Sequence, residues 1–309
     1  MADKMATRQA YGQVLVELGN KYDNLVVLDA DLSKSTMTAE FSKTYPERFF
    51  NMGIAEQNLY GTATGLAISG KIVCASTFAM FASGRAFEII RNSIGYPHAN
   101  VKICATHAGI TVGEDGATHQ TFEDLALMRT IPGMTVLNPG DGVSAKELIR
   151  QAVAMNGPVY VRLGRAAVPM VYDENSKIEI GKGNCVRDGK DYTAIATGIM
   201  VNEALQAAEI LKGEGIDLRV IDMHTIKPLD EEIIIKAAKE TKGIVTCEEH
   251  SIIGGLGSAV AEVVVKNQPV KMAMVGQKDT FGESGKPDEL KKKYGMTADD
   301  IVAAVKSLG

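Results

Sequence analysis

Two segments of the 309-residue sequence gather side chains that can do chemistry. In Phe49-Phe-Asn-Met-Gly-Ile-Ala-Glu56-Gln-Asn a carboxylate stands in the first turn of a predicted helix over 55–68. The residues that follow, Gly61, Ala63, Gly65 and Ala67, are small, so this helix is expected to pack closely and to be buried. A helix macrodipole favours an acid at that end, which gives Glu56 a purely structural explanation. The functional reading is a buried acid that hydrogen-bonds a heterocycle nitrogen. The second segment, Thr106-His107-Ala-Gly-Ile-Thr-Val-Gly-Glu114-Asp115-Gly-Ala-Thr118-His119-Gln, is too irregular for a helix and carries two of the five histidines. It starts where a predicted strand ends, the edge at which open parallel sheets bind ligands. Polar residues gathered in such loops carry function more often than packing. A metal is a rival occupant, but a structural zinc site asks for a closer pair of His or Cys than this stretch offers.

Other residues are weaker on their own. Phe78 and Phe81 are three apart just after a strand, a spacing more common in cores than in binding platforms. Arg8, Ser35, Arg162 and Arg165 sit singly at strand or helix ends, where a solvated surface role is the ordinary one. Together they could clamp a phosphate, each charge-assisted hydrogen bond contributing roughly 1.5–3 kcal/mol. Gly140-Asp141-Gly142 matches the opening of a diphosphate-and-metal motif, yet Asn156 and Asn175 are badly spaced to complete it. It is read as a turn and a helix cap.

The elements that must position these residues alternate between short β-branched runs and helical patterns, which predicts an α/β architecture with mostly parallel sheets. Strands are expected at 25–29, 72–76, 101–106, 135–138 and 159–163, with helices at 55–68 and 143–154 among those between them. From Val168 to Asp188 the periodicity lapses, and this stretch reads as a linker. A second series follows: strands at 192–197, 218–222, 244–248 and 270–275, helices at 201–211, 230–239 and 256–265, and a closing helix at 299–308. Lys227-Pro-Leu-Asp230 reads as a stop followed by an Asp N-cap. The division is therefore 1–167, linker 168–188, and 189–309.

Composition narrows the function classes. With 45% hydrophobic and 23% charged residues the chain has the balance of a globular protein with substantial cores. A formal charge of −5 without a basic stripe argues against nucleic acid as a partner. The N-terminal residues 1–8 lack the apolar region of a signal peptide, and no apolar run is long enough to span a membrane. Cys74, Cys104, Cys185 and Cys247 are scattered without metal-ligand spacing, with Cys74 and Cys104 inside apolar runs, which fits a reducing cytoplasm.

In combination and order, these segments resemble transketolase over nearly the whole chain. The resemblance rests on Ala6-Thr-Arg8, Asp29-Ala-Asp31-Leu-Ser-Lys-Ser35, Gly53-Ile-Ala-Glu56, Ser76-Thr-Phe78-Ala-Met-Phe81, and Thr106-His107 through Gly113-Glu-Asp115-Gly-Ala-Thr-His119-Gln. It implies two successive three-layer α/β domains: a thiamine-diphosphate-type pyrimidine domain, then a transketolase C-terminal-type domain. A full-length transketolase has a further N-terminal domain for the diphosphate and Mg²⁺ (or Ca²⁺). The chain therefore resembles the C-terminal part of a split enzyme, with a separate N-terminal subunit as partner and an expected two-plus-two heterotetramer.

Carried over by position, the resemblance makes Glu56 the acid that hydrogen-bonds N1′ of the thiamine aminopyrimidine. Phe81 stacks on that ring with Phe78 beside it, and Asp31 lies near the cofactor at the subunit junction. His119 falls near the reacting carbonyl, Asp115 reads a sugar hydroxyl, and Arg8, Ser35, His107 and Arg165 hold the substrate phosphate, with Arg162 as a neighbour. No metal ligands fall on this chain. The implied reaction moves a two-carbon ketol unit from xylulose 5-phosphate to ribose 5-phosphate or erythrose 4-phosphate. One departure stands out: where the family often has a tyrosine three positions after the stacking aromatic, this chain has Gly84, followed by Arg85. The Glu248-Glu-His250-Ser-Ile-Ile-Gly-Gly-Leu-Gly segment resembles the family's third domain and is assigned to assembly. Rivals are the β subunit of a 2-oxo-acid dehydrogenase, a 1-deoxyxylulose 5-phosphate synthase, and a non-catalytic assembly subunit.

Overall fold

The computed structural model describes residues 4–309, so Met1–Asp3 of the N-terminal segment lie outside the described residues. The first half contains β1 (Lys4–Ala6), α1 (Thr7–Lys21), β2 (Leu25–Asp29), α2 (Ser33–Thr36), α3 (Ala39–Thr44), β3 (Phe49–Asn51), α4 (Glu56–Ile68), β4 (Ile72–Phe78), α5 (Phe87–Ile89), β5 (Val101–Thr106), α6 (Asp124–Thr130), β6 (Thr135–Leu137), α7 (Gly142–Ala154), β7 (Val159–Arg162) and β8 (Ala167–Pro169). The second contains β9 (Asn184–Arg187), β10 (Tyr192–Ala196), α8 (Met200–Gly213), β11 (Leu218–Asp222), β12 (Thr225–Lys227), α9 (Glu231–Glu240), β13 (Gly243–Ser251), α10 (Leu256–Asn267), β14 (Lys271–Gln277), α11 (Pro287–Lys293) and α12 (Ala298–Lys306).

The larger sheet has the order β12-β6-β7-β5-β4-β2-β3. Its strands run parallel except β12, which closes one edge antiparallel. β2 and β5 bury every residue, as strands covered on both faces must. Alternation sorts the two faces. Val27, Cys74, Cys104 and Val161 pack with Tyr11, Leu15, Leu148 and Ile149 of α1 and α7. Val26, Leu28, Ala75 and Ile103 pack with Leu59, Tyr60 and Ala63 of α4 and with Leu125 and Met128 of α6. That makes three layers, and a smaller sheet, β14-β13-β10-β11-β9, repeats the plan. One of its faces is covered by α8 and α12.

The two halves are not separate bodies. Ile195, Ile221, Ile234, Ile244 and Val260 of the second half belong to the same buried cluster as Val26 and Leu125 of the first. The chain also returns at β12 to pair Thr225 with Leu137 and Lys227 with Val136. The stretch 168–188, read as a linker, differs at both ends. β8 pairs antiparallel with β1, and β9 joins the smaller sheet, which leaves 170–183 and Asp188 without regular structure. Short edge strands such as these have no room to show a period.

Two caps follow the sequence closely. Asp141 is the N-cap of α7, accepting from the Ser144 amide at 2.8 Å, so the Gly-Asp-Gly triplet is a helix start. Its other oxygen accepts from the amides of Val171 and Tyr172 at 2.8 and 2.9 Å, tying down the start of the irregular stretch. Asp230 caps α9 through the Ile233 amide.

Candidate active site

Glu56 is the first residue of α4, and Gly53 in the left-handed region (φ +70) turns the chain into it. The carboxylate is only 2% exposed. Its Oε2 accepts from Arg85 Nη1 at 2.9 Å, yet the arginine side chain is 51% exposed. Arg85 also lies 4.8 Å from the Phe81 ring centre. Both residues belong to a wide π-helical turn, Phe81–Arg85, closed by the Ala86 amide on the Phe81 carbonyl at 3.2 Å. Such turns are frequent at functional sites. Sequence reasoning noted Arg85 only as the neighbour of a missing tyrosine. It lies 29 positions from its partner, beyond any local pattern.

From Phe81 a run of rings leads inward. Phe78 stacks on Phe81 with centres 6.0 Å apart, and His107 stacks on Phe78 at 3.9 Å. His119 meets Phe81 in a T-shaped contact with centres 5.4 Å apart and shares a hydrogen bond with Thr118 Oγ1 at 2.9 Å. A carboxylate and an aromatic ring bridged by one half-exposed arginine suit a flat nitrogen heterocycle that displaces the arginine. The acid can meet a ring nitrogen while the ring plane lies on Phe81.

His107 marks the second part of the site. It follows β5 directly with a left-handed backbone (φ +58), and Asp31, just after β2, has one too (φ +63). Non-glycine residues held so cost of order 1–3 kcal/mol and cluster at functional sites. His107 is held neutral, its pKa lowered to about 3 by burial first and then by Arg8, Arg165 and His119. Arg8, from α1, is lowered by burial and then by Arg165. Its Nη1 donates to the Ser35 carbonyl at 2.7 Å, while its buried Nε meets no acceptor among the described residues. Arg165 donates to the Val112 carbonyl at 2.5 Å and to Glu114 at 2.8 Å, Glu114 being largely exposed. Two guanidiniums, a neutral imidazole and an unmet donor thus converge, a donor set that fits a phosphate with its several acceptor oxygens.

The remaining expected residues are placed as follows. Asp31 is exposed and pairs with Asn51 at 2.9 Å. Beneath it Asp29, fully buried, accepts from the Leu32 amide at 2.6 Å and from Thr36 and Thr38 at 2.6 and 3.0 Å, which shapes the loop carrying Asp31 and Ser35. Asp115 is exposed on the 3-10 segment Ile110–Asp115, and no hydrogen bond joins it to the cluster among the described residues. Arg162 is not in the clamp. It is 3% exposed and committed to Asp124 Oδ2 at 2.8 Å and the Glu249 carbonyl at 2.8 Å.

The comparisons with known proteins agree across the chain. The transketolase pyrimidine-binding domain matches residues 3–170, and the transketolase C-terminal domain matches 181–301. A Methanocaldococcus jannaschii protein provisionally named a transketolase C-terminal section is 57% identical over 301 residues, covering 96% of this chain and 94% of its own. The 6-deoxy-6-sulfo-D-fructose transketolase subunit of a Clostridium species is 44% identical over 297 residues, covering 96% and 92%. A solved structure titled a split-gene transketolase, inactive β4 tetramer, superposes with a TM-score of 0.93 at 56% identity and covers 98% of each chain.

Proposed function

This chain belongs to the transketolase family, and on that premise we propose that it is the C-terminal subunit of a thiamine-diphosphate-dependent transketolase, active only with an N-terminal subunit. The observation that carries the reading is the buried Glu56 beside the Phe81 face, a short run of rings away from the Arg8–His107–Arg165 cluster. The partner would grip the diphosphate and its Mg²⁺ (or Ca²⁺). Among the described residues no group of three or more His, Cys, Asp or Glu is placed to hold a metal. The Clostridium relative is named a subunit and the solved relative a split-gene protein inactive as a β4 tetramer, both of which support a two-polypeptide enzyme; a two-plus-two assembly is part of the proposal. Residues 1–167 would carry the cofactor and substrate groups, and 189–309 would complete the subunit.

Bound thiamine diphosphate supplies the carbon nucleophile that breaks and remakes the carbon–carbon bond beside the ketose carbonyl. Glu56 holds the ring nitrogen of the pyrimidine and the proton they share, which requires Arg85 to give way. Phe81 fixes the ring plane. His119 stands against Phe81 and carries a proton to or from the carbonyl oxygen. Arg8, Ser35, His107 and Arg165 bind the phosphate, His107 as a neutral donor, and Asp115 accepts from a sugar hydroxyl. Arg165 leaves Glu114 at little cost, because an exposed pair is worth at most about 1 kcal/mol. Binding of the remote phosphate positions the sugar for reaction at its other end. The transfer runs from xylulose 5-phosphate to ribose 5-phosphate or erythrose 4-phosphate. A sulfonated ketose is a second donor reading, favoured by the name of the Clostridium relative.

The test is Glu56→Gln, co-purified with the N-terminal subunit and assayed for ketol transfer at saturating cofactor. Loss of about 100-fold or more in kcat is expected of a proton-handling group. Near-normal turnover would remove Glu56 from the mechanism, and full activity of the purified chain alone would overturn the split-enzyme reading.

A further inference from the structure

We propose that Glu249, a residue of the C-terminal half, is a positioning residue that sets the loop carrying His107, Asp115 and His119; the inference rests on the reading of that loop as a sugar-phosphate ligand. The C-terminal half thereby takes part in substrate binding as well as assembly.

Strand β13 ends in three consecutive buried polar residues with three different tasks. Glu248 faces its own half, accepting from the amides of Leu256 and Gly257 at 2.7 and 2.8 Å at the start of α10. His250 Nε2 lies 3.3 Å from the Ala126 amide of α6. Glu249 leaves the opposite face of the strand from Glu248 and His250, points into the first half, and is 2% exposed. Its Oε1 accepts from the Thr111 amide at 2.7 Å, across 138 positions of sequence. Its other oxygen lies 3.9 Å from Arg162 Nη1, and the same arginine donates to the Glu249 carbonyl.

The loop is shaped to receive this carboxylate. Gly109 has φ +81, and a Cβ built there would stand 2.3 Å from the Glu249 carboxyl carbon. Only glycine satisfies both conditions. Two residues on from the held amide, a Cβ on Gly113 would lie 3.3 Å from the Gly285 carbonyl. One on Gly116 would lie 2.4 Å from Ser284 Oγ. Gln120 Nε2 donates at 3.0 Å to the Glu283 carbonyl. The loop is therefore laid closely on the C-terminal half, and Glu249 is the side chain that fixes its first turn. Because Val112, next to the held amide, gives its carbonyl to Arg165, the grip extends to a phosphate ligand on another element.

The experiment separates reach from charge in the two-subunit complex. Glu249→Asp keeps the negative charge facing Arg162 but withdraws the acceptor by one methylene from the Thr111 amide. Glu249→Gln keeps the reach and an acceptor oxygen but removes the charge. The readouts are KM and kcat for D-xylulose 5-phosphate and for D-xylulose, ribose 5-phosphate affinity by calorimetry, and hydrogen exchange over 107–119. The expected result is a rise of 10-fold or more in KM for the phosphorylated sugar with Glu249→Asp. It comes with weaker ribose 5-phosphate binding, faster exchange in the loop and little change in kcat, and Glu249→Gln is close to the parent. The proposal is overturned if Glu249→Asp behaves as the parent, or if both variants lose kcat equally on both sugars. A parent enzyme that does not distinguish phosphorylated from unphosphorylated sugar would overturn the sugar-phosphate reading instead. If Glu249→Asp fails to fold while Glu249→Gln remains native, the side chain serves stability and the proposal fails.

Discussion

Removing Arg85 is expected to tighten cofactor binding. Its guanidinium holds the Glu56 carboxylate at 2.9 Å and lies 4.8 Å from the Phe81 ring centre, so it covers both groups proposed to meet the aminopyrimidine. An ion pair with one half-exposed partner is worth about 0.5–1 kcal/mol once solvent screening is allowed for. A cation over an aromatic face at such a site adds about 0.5–1 kcal/mol. An incoming heterocycle must displace both contacts. Arg85→Ala therefore relieves about 1–2 kcal/mol, a roughly 5- to 30-fold lower Kd for thiamine diphosphate. The assay is calorimetric titration of the two-subunit complex with thiamine diphosphate at saturating Mg²⁺ and without sugar. Weaker binding would show that Arg85 is itself a cofactor ligand. An unchanged Kd would show that the pair does not stand in the way.

Two further outcomes are expected. Arg165→Ala should raise KM for phosphorylated sugars by about 10-fold or more, the low end of one charge-assisted contact of roughly 1.5–3 kcal/mol, and leave unphosphorylated sugars within a factor of a few. Equal effects on both would argue against a phosphate contact. Asp222 is buried, holds the Tyr172 hydroxyl at 2.8 Å, and has its pKa raised to about 8 by burial first, with Asp141 adding to the rise. A carboxyl raised above its unfolded value of about 3.9 lets the folded state bind more protons, so its stabilising contribution is present at low pH and lost as pH rises towards 8. Thermal unfolding of Asp222→Asn from pH 5 to 8 should therefore lose less stability than the parent. Parallel curves would refute the assignment.

Much of the fold was legible because its central strands are short runs rich in apolar and β-branched residues. Leu25–Asp29, Val101–Thr106 and Leu218–Asp222 stand where the sequence placed them, and the α4 and α7 starts fall within a residue of expectation. Edge strands were not legible. β12 has three residues, and its partner Leu137 is nearly ninety positions earlier, so neither period nor turn announces it. The site shows the same division. Glu56, His107 and His119 stood out as candidates by type and placement, and their order along the chain carried the family resemblance. Arg85 and Glu249 did not, since each acts on a group far away in sequence. Glu249 lay in plain view beside His250 but read as part of an assembly segment, because nothing local reveals which way an alternating strand turns its acid.

The return of β12 to the larger sheet limits how this protein can be divided. Cutting the chain in the irregular stretch 170–183 would strip the antiparallel strand from β6 and expose its unpaired backbone groups. It would also free the carbonyls of Arg129 and Ile131, which the Lys227 ammonium now holds at 2.9 and 2.6 Å at the end of α6. A bare edge of that kind recruits other chains. Fragments ending before residue 225 are thus poor candidates for independent folding, and the irregular stretch 170–183 is a poor point at which to exchange one half for another.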